Sequence, residues 1–287
     1  MKNILITGAN GQLGNEMRVL SEEHPEYICF FTDVAELDIC NEQAIQDFVK
    51  ANAIHVIVNC AAYTAVDNAE DNIGLCTKLN ADAVGYLAKA AEANGAEFIQ
   101  ISTDYVFDGT AHTPYRETEP TCPNSVYGHT KLMGEQNALT LCTRSMVIRT
   151  AWLYSTFGNN FVKTMIRLGR ERDSLGVIFD QVGTPTYARD LARAIFAAIR
   201  QGVTPGIYHF SNEGVCSWYD FTKAIHRLAG ITTCNVKPLH TSEYPTKAKR
   251  PHYSVLDKTK IKEVYHVEIP YWEESLQKCI AQLIVDN

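Results

Sequence analysis

The sequence predicts an α/β fold, a doubly wound parallel sheet with a smaller C-terminal lobe. Three observations lead there. Short β-branched runs alternate with amphipathic stretches through the first half of the chain, a glycine-rich turn closes the first of those runs, and the rhythm changes after Thr150. Strands that alternate with helices are covered on both faces, so they read as nearly continuous apolar runs.

In chain order, strands are expected at residues 3–6, 27–32, 55–59, 97–101 and 146–149. Helices, with apolar residues near helical spacing, are expected between them at residues 12–22, 42–52, 74–94 and 126–142. This βαβ series makes a first domain of residues 1–150. Beyond it come aromatic and Gly/Asn-rich turns at 152–160, a helix near 161–171 and a Pro/Gly segment at 180–186. A helix at 187–201 and a strand at 206–210 are expected to return to the large sheet, which assigns 187–211 to the first domain and leaves 151–186 with 212–287 as the lobe. Ligands of open α/β sheets bind outside the carboxyl ends of the strands, so the expected site is a cleft between sheet and lobe.

Bulk properties exclude several classes. The 287 residues suffice for a sizeable core, and 46% hydrophobic with 21% charged residues is ordinary globular usage, neither disordered nor fibrous. A formal net charge of -7 gives no electrostatic footprint for nucleic acid or an anionic membrane surface. The apolar stretch at residues 1–6 is too short for a signal peptide and no run reaches ~18 apolar residues, so the chain is expected in the cytoplasm. Nine cysteines, odd in number and without Cys-x-x-Cys, support neither a disulfide framework nor a zinc site. The histidines offer no ligand pair, and no metal is expected.

The first expected strand runs into Gly8-Ala9-Asn10-Gly11-Gln12-Leu13-Gly14, which opens a helix. Glycines there permit a tight turn, close approach of a pyrophosphate and close helix packing, while the helix N-terminus favours the anion. The bland reading is an ordinary βα turn; its position after a strand and before a helix favours a dinucleotide site and a Rossmann-like sheet. Asp33 falls at the end of strand two, about twenty residues on, where an acid can bond a ribose 2′-hydroxyl and repel a 2′-phosphate. That leans toward NADH, with NADPH still open. Asp38 and Ile39 are expected near the adenine, and Ala61, Ala62, Tyr63 and Thr64, after strand three, near the other half of the cofactor.

The chemistry centres on Tyr127-Gly128-His129-Thr130-Lys131, since residues four apart on a helix share a face. A phenol with a pKa near 10 is a poor proton shuttle at neutral pH, and an adjacent ammonium brings it into range. Tyr-x-x-x-Lys alone is nearly uninformative. Its company is Ser102-Thr103-Asp104-Tyr105 at the carboxyl end of strand four, with Thr103 as the hydroxyl that bonds a substrate oxygen or tunes Tyr127.

With these motifs the chain resembles the extended short-chain dehydrogenase/reductase family and, within it, the dTDP-4-dehydrorhamnose reductases, over nearly its whole length. The further runs that carry the resemblance include Asn59-Cys60-Ala61-Ala62-Tyr63-Thr64-Ala65-Val66-Asp67, Arg149-Thr150-Ala151-Trp152-Leu153-Tyr154, Asn159-Asn160-Phe161 and Arg250-Pro251-His252. The resemblance implies reduction of the C4 ketone of a dTDP-linked 4-keto-6-deoxy sugar to dTDP-L-rhamnose. Hydride would come from NADPH or NADH and the proton from Tyr127. It also implies that Thr103, Asp104, Tyr105 and Trp152 meet the sugar and that Asn160 and Arg250 lie at the nucleotide diphosphate. Some relatives suggest a magnesium-linked dimer built on a carboxylate like Glu16; here the later helix reads Tyr187-Ala188-Arg189-Asp190, which departs from that acidic pattern, and monomer or homodimer stays open. Two other readings stay open as well. One is a nucleotide-sugar epimerase or dehydratase, although the glutamate a dehydratase carries after Asp104 is replaced by Tyr105. The other is a non-catalytic NAD(P)-binding regulatory subunit.

Overall fold

The alternating runs of the first half fold where their periods require. In the computed structural model, which describes residues 1–285, the order is β1 (Lys2–Thr7), α1 (Gln12–Ser21), β2 (Tyr27–Thr32), α2 (Glu42–Ala51), β3 (Val56–Asn59), α3 (Val66–Ala69), α4 (Ile73–Thr77), α5 (Ala83–Ala93), β4 (Glu97–Thr103), α6 (Val126–Leu141) and β5 (Ser145–Thr150). Alternation along each strand sends Ile4, Ile6, Val56, Val58, Met146 and Ile148 to one face of the sheet and Leu5, Ile57 and Val147 to the other. Both faces are largely apolar because both are covered, and burying each such apolar side chain contributes roughly 1.5–3 kcal/mol.

The second half continues with β6 (Leu153–Tyr154), α7 (Phe161–Glu171), β7 (Ser174–Ile178), β8 (Val182–Gly183), β9 (Thr186–Tyr187), α8 (Ala188–Gln201), β10 (Gly206–His209), β11 (Cys216–Ser217), α9 (Trp218–Leu228), β12 (Asn235–Leu239), α10 (Thr259–Tyr265) and α11 (Trp272–Val285). β10 pairs with β5, so the large sheet has six parallel strands in the order β2-β1-β3-β4-β5-β10. α1 and α8 lie against one face; α2, α5 and α6 contribute to the core on the other. The strand order reverses between β1 and β3, which opens a crevice at their carboxyl ends.

The remainder packs around a second core, with Val162, Leu175, Phe221, Ile225, Trp272 and Leu276 buried together. Its strands come in pairs: β7 with β12, β8 with β11 and β6 with β9. These strands of two to five residues were not anticipated, since pieces that short show no period. The helix expected at 74–94 is also more complex. Between α4 and α5 the backbone widens into a π turn, Lys78–Asp82, a form that concentrates at functional sites. Among the described residues all nine cysteines are free thiols, and no helix is long and apolar enough to cross a membrane.

Candidate active site

The crevice begins at the glycine turn. Gly8 has φ +63°, and a Cβ there would stand 2.6 Å from the backbone nitrogen of Ala61, so the turn after β1 and the loop after β3 approach as closely as backbones can. A Cβ on Gly14 would lie 2.5 Å from Ala9 Cα. α1 starts at Gly11 with no side-chain cap, which leaves its first amides to a ligand. Gly8, Gly11, Asp33, Asp38, Ile39, Ala61 and Ala62 line one cleft of about 360 Å³. Asp33 ties the end of β2 to the turn, its Oδ2 accepting from the Asn10 amide at 3.1 Å and its Oδ1 from the Val34 amide at 2.9 Å.

The other residues expected at a cofactor are placed less uniformly. Leu13 is buried in the sheet core and can offer only backbone, and Thr64 is exposed. The side-chain oxygen of Gln12 is buried with no partner among the described residues. Tyr63 is fixed through its backbone. Its amide donates to Asn80 Oδ1 at 2.8 Å and its carbonyl accepts from Asn80 Nδ2 at 3.1 Å, so the π turn holds the loop after β3. The glycine cradle and the open amides fit a dinucleotide diphosphate.

α6 is capped by Ser125, whose Oγ accepts from the Gly128 amide at 3.1 Å. Gly128 faces the Tyr105 carbonyl and Gly134 the Asn80 carbonyl so closely that neither position has room for a Cβ. The helix therefore lies flush against the end of β4, with Tyr127 and Lys131 on its inner side. Lys131 Nζ donates to the Ile101 carbonyl at 2.6 Å, and the rings of Tyr105 and Tyr127 meet edge to face at 5.5 Å. Thr103 Oγ1 donates to Asp104 Oδ1 at 3.0 Å, accepts from the Tyr105 amide at 3.2 Å and neighbours the Tyr127 phenol.

Burial dominates the titration of these groups. It pushes the Asp104 carboxyl up to about 6, against hydrogen bonds from Ser254 and Thr103, and leaves Asp104 Oδ2 without a partner among the described residues. Burial also pushes the Lys131 ammonium down to about 8. The Tyr127 phenol departs from the sequence-based expectation: burial raises it above its ordinary value, and the Thr103 hydroxyl opposes that rise. Lys131 is not among the groups that offset the burial, its ammonium being turned to the Ile101 carbonyl.

On the lobe side Trp152 adopts φ +48° and stacks on Trp218, ring centroids 3.5 Å apart and 9° from parallel. A strained non-glycine backbone of this kind is a mark of functional segments. Trp218 escaped the sequence reading; the Ser217 and Asp220 capping box that starts its helix was the available signal. Arg250 reaches back across the cleft to Asp67, Nη2 to Oδ2 at 2.6 Å and Nη1 to Oδ1 at 3.1 Å, and that bond holds the Asp67 carboxyl below its ordinary value. Arg250, Gln181, Phe161 and Trp218 line a groove of about 610 Å³. Asn160 caps α7: its side chain accepts from the Lys163 amide at 3.1 Å and donates to the Ser155 carbonyl at 2.7 Å, so its amide is committed to that turn.

Glu16, the carboxylate a shared magnesium would need, is fully buried and already satisfied by Ser155 Oγ at 2.6 Å and Arg189 Nε at 2.8 Å. Among the described residues no group of three or more His, Cys, Asp or Glu side chains is gathered for a metal. The donor set at Glu16 is one acid with a guanidinium and does not fit a divalent cation. Removing the guanidinium strands a buried carboxylate. Arg189→Ala is therefore expected to lower stability by about 2 kcal/mol, less than for a sealed pair because water can enter beside Arg189, and a urea unfolding midpoint checks it.

A family model described as RmlD substrate binding domain matches residues 1–285. The chain belongs to that family. This RmlD-family chain is 41% identical over 291 residues to a dTDP-4-dehydrorhamnose reductase of Aggregatibacter actinomycetemcomitans, an alignment that covers 98% of this chain and 99% of the relative. A solved dTDP-4-dehydrorhamnose reductase from Clostridium acetobutylicum superposes with a TM-score of 0.94 at 46% identity, covering 98% of this chain and 99% of that one. Another, from Bacillus anthracis in complex with NADP, gives a TM-score of 0.93 at 40% identity, covering 98% and 100%.

Proposed function

We propose that the chain reduces the C4 ketone of dTDP-4-dehydrorhamnose to dTDP-L-rhamnose with a reduced nicotinamide dinucleotide, NADPH or NADH. The observation that carries this reading is the meeting of Tyr127, Thr103 and Lys131 at the end of β4, beside a glycine cradle shaped for a diphosphate. When bound, the dinucleotide supplies the hydride. Gly8, Asn10, Gly11, Gln12, Leu13 and Gly14 would hold its diphosphate, Asp33, Asp38 and Ile39 its adenosine end, and residues 61–64 with Tyr127 and Lys131 its nicotinamide end.

Tyr127 acts as general acid. Because burial keeps its phenol protonated, it holds a proton ready for the ketone oxygen, and an oxygen turning into an alkoxide is the stronger base. As the phenol gives up its proton, the Lys131 ammonium would turn from the Ile101 carbonyl toward the phenolate that remains, and Thr103 orients the phenol and the substrate oxygen. Asp104, Tyr105 and Trp152 would meet the sugar. Arg250, already oriented by Asp67, would take the nucleotide diphosphate bidentately, with the turn capped by Asn160 beside it.

The test is direct. Purified protein is mixed with each reduced dinucleotide and a panel of dTDP-, UDP- and GDP-linked 4-keto-6-deoxy sugars, and absorbance of the reduced nicotinamide is followed. Stoichiometric oxidation with the dTDP sugar, giving the rhamnose product, is the expected result. Turnover without net oxidation would point instead to an epimerase, and no turnover to a binding subunit.

A further inference from the structure

One turn beyond Lys131 on α6 lies a sealed pair of opposite charges that the proposed chemistry does not use. Glu135 and Arg149 each leave 2% of the side chain exposed. The guanidinium grips the carboxylate twice, Nε to Oε1 at 2.9 Å and Nη2 to Oε2 at 2.7 Å, and Ser102 adds a third bond, Oγ to Oε1 at 2.5 Å. Behind the pair, the Phe107 ring covers the guanidinium at 5.1 Å, and His209, pushed down to about 3 by burial and by Arg149, stays neutral. Buried pairs of this kind add little net stability over apolar side chains of the same volume. Their location matters more.

Tyr127, Lys131 and Glu135 follow one another at intervals of four on a single helix face. Ser102, which holds Glu135, sits between Ile101, whose carbonyl takes the Lys131 ammonium, and Thr103. The pair thus anchors α6 to β4 and β5 at the level of the catalytic groups. Lys131 is 4% exposed, and desolvation works against its charge. The groups that face it are Glu135 from its own helix, Cys76 from α4 and Cys60 from the loop after β3, with Tyr127 one turn away and Arg149 behind Glu135. Cys60, its thiol raised to about 12 by burial, is uncharged. Of these, Glu135 is the carboxylate that opposes the desolvation.

We infer that Glu135, clamped by Arg149 and Ser102, is a positioning residue whose carboxylate keeps Lys131 protonated in its desolvated site. The inference rests on the reading that Lys131 serves Tyr127, but it can be measured without substrate. In protein carrying ¹³C-labelled lysine, the Lys131 resonance is assigned by its loss in Lys131→Arg and then titrated. Glu135→Gln leaves the Arg149 cation unopposed and should move the Lys131 titration down by about one pH unit; Arg149→Met frees the carboxylate and should move it up by a similar amount. Loosened packing alone would not shift one site in opposite directions. If a single variant does not fold, Glu135→Met/Arg149→Met removes both charges in a form buried pairs tolerate, and the titration should still fall. The alkaline limb of kcat/KM should follow each shift, and Glu135→Asp should restore the limb that Glu135→Gln displaces.

An unmoved Lys131 titration in the double variant, or shifts of the same sign in the two single variants, overturns the inference. A wild type that consumes no reduced dinucleotide overturns the proposed reaction instead and leaves the Lys131 titration readable.

Discussion

Tyr127→Phe is expected to lower kcat by roughly a thousandfold, about 4 kcal/mol of barrier, while affinity for the reduced dinucleotide stays within about twofold of wild type. The substitution keeps the ring in its edge contact with Tyr105 and leaves the Lys131 bond to Ile101 untouched. It deletes one hydroxyl, the neighbour of Thr103. Binding and chemistry therefore separate: fluorescence titration of the reduced dinucleotide reports the first and steady-state turnover the second. Retained turnover with intact binding would remove the proton donor from the argument, and Thr103 with Asp104, whose carboxyl titrates at about 6, would become the acid to examine.

Lys131 bounds the same reaction on the alkaline side. Its ammonium, lowered to about 8 by burial, loses its proton as pH rises through that value, and the phenolate left by Tyr127 then has no cation to stabilise it. The sequence makes the neighbourhood of these two residues legible because a spacing of four on a helix is a geometric fact. Burial is not written in local spacing, and so the direction of the Tyr127 shift could not be read from the residues alone. Glu135 lies on the same four-residue spacing, yet its importance depends on Arg149, which comes from β5, and on Ser102, which comes from β4.

The fold divides in a similar way. β2 and α7 were legible to the residue, because Tyr27–Thr32 and Phe161–Glu171 are bounded by clear turn signals and carry long enough patterns. The paired short strands of the lobe carry two to five residues each, and their partners lie far away in sequence, as Val182 and Ser217 do. Trp152 at φ +48° lies in the same class: only the finished packing against Trp218 shows why its backbone turns as it does. Arg250 was legible as a phosphate-type residue, but its fixed orientation depends on Asp67, 183 positions away.

Gly14→Ala tests the cradle. A single methyl at Gly14 would run into the Gly8 carbonyl, Ala9 Cα at 2.5 Å and Ala9 C at 2.8 Å, all of them backbone atoms of the turn itself. No flexible side chain is present to give way, so either α1 backs off β1 or the turn opens toward the cleft. Both movements displace the first amides of α1 from the place a diphosphate would occupy. Overpacking of this kind costs about 3 kcal/mol, which read as binding is roughly a hundredfold loss of dinucleotide affinity. Gly74→Ala is the matched control. Nothing stands within 4 Å of that Cβ position, at the start of a short helix, so its alanine should bind the dinucleotide as wild type does and gain up to ~1 kcal/mol of stability. Calorimetric titration of both variants with the reduced and oxidised dinucleotides separates the two cases, and equal affinities would mean that the diphosphate does not lie on this turn.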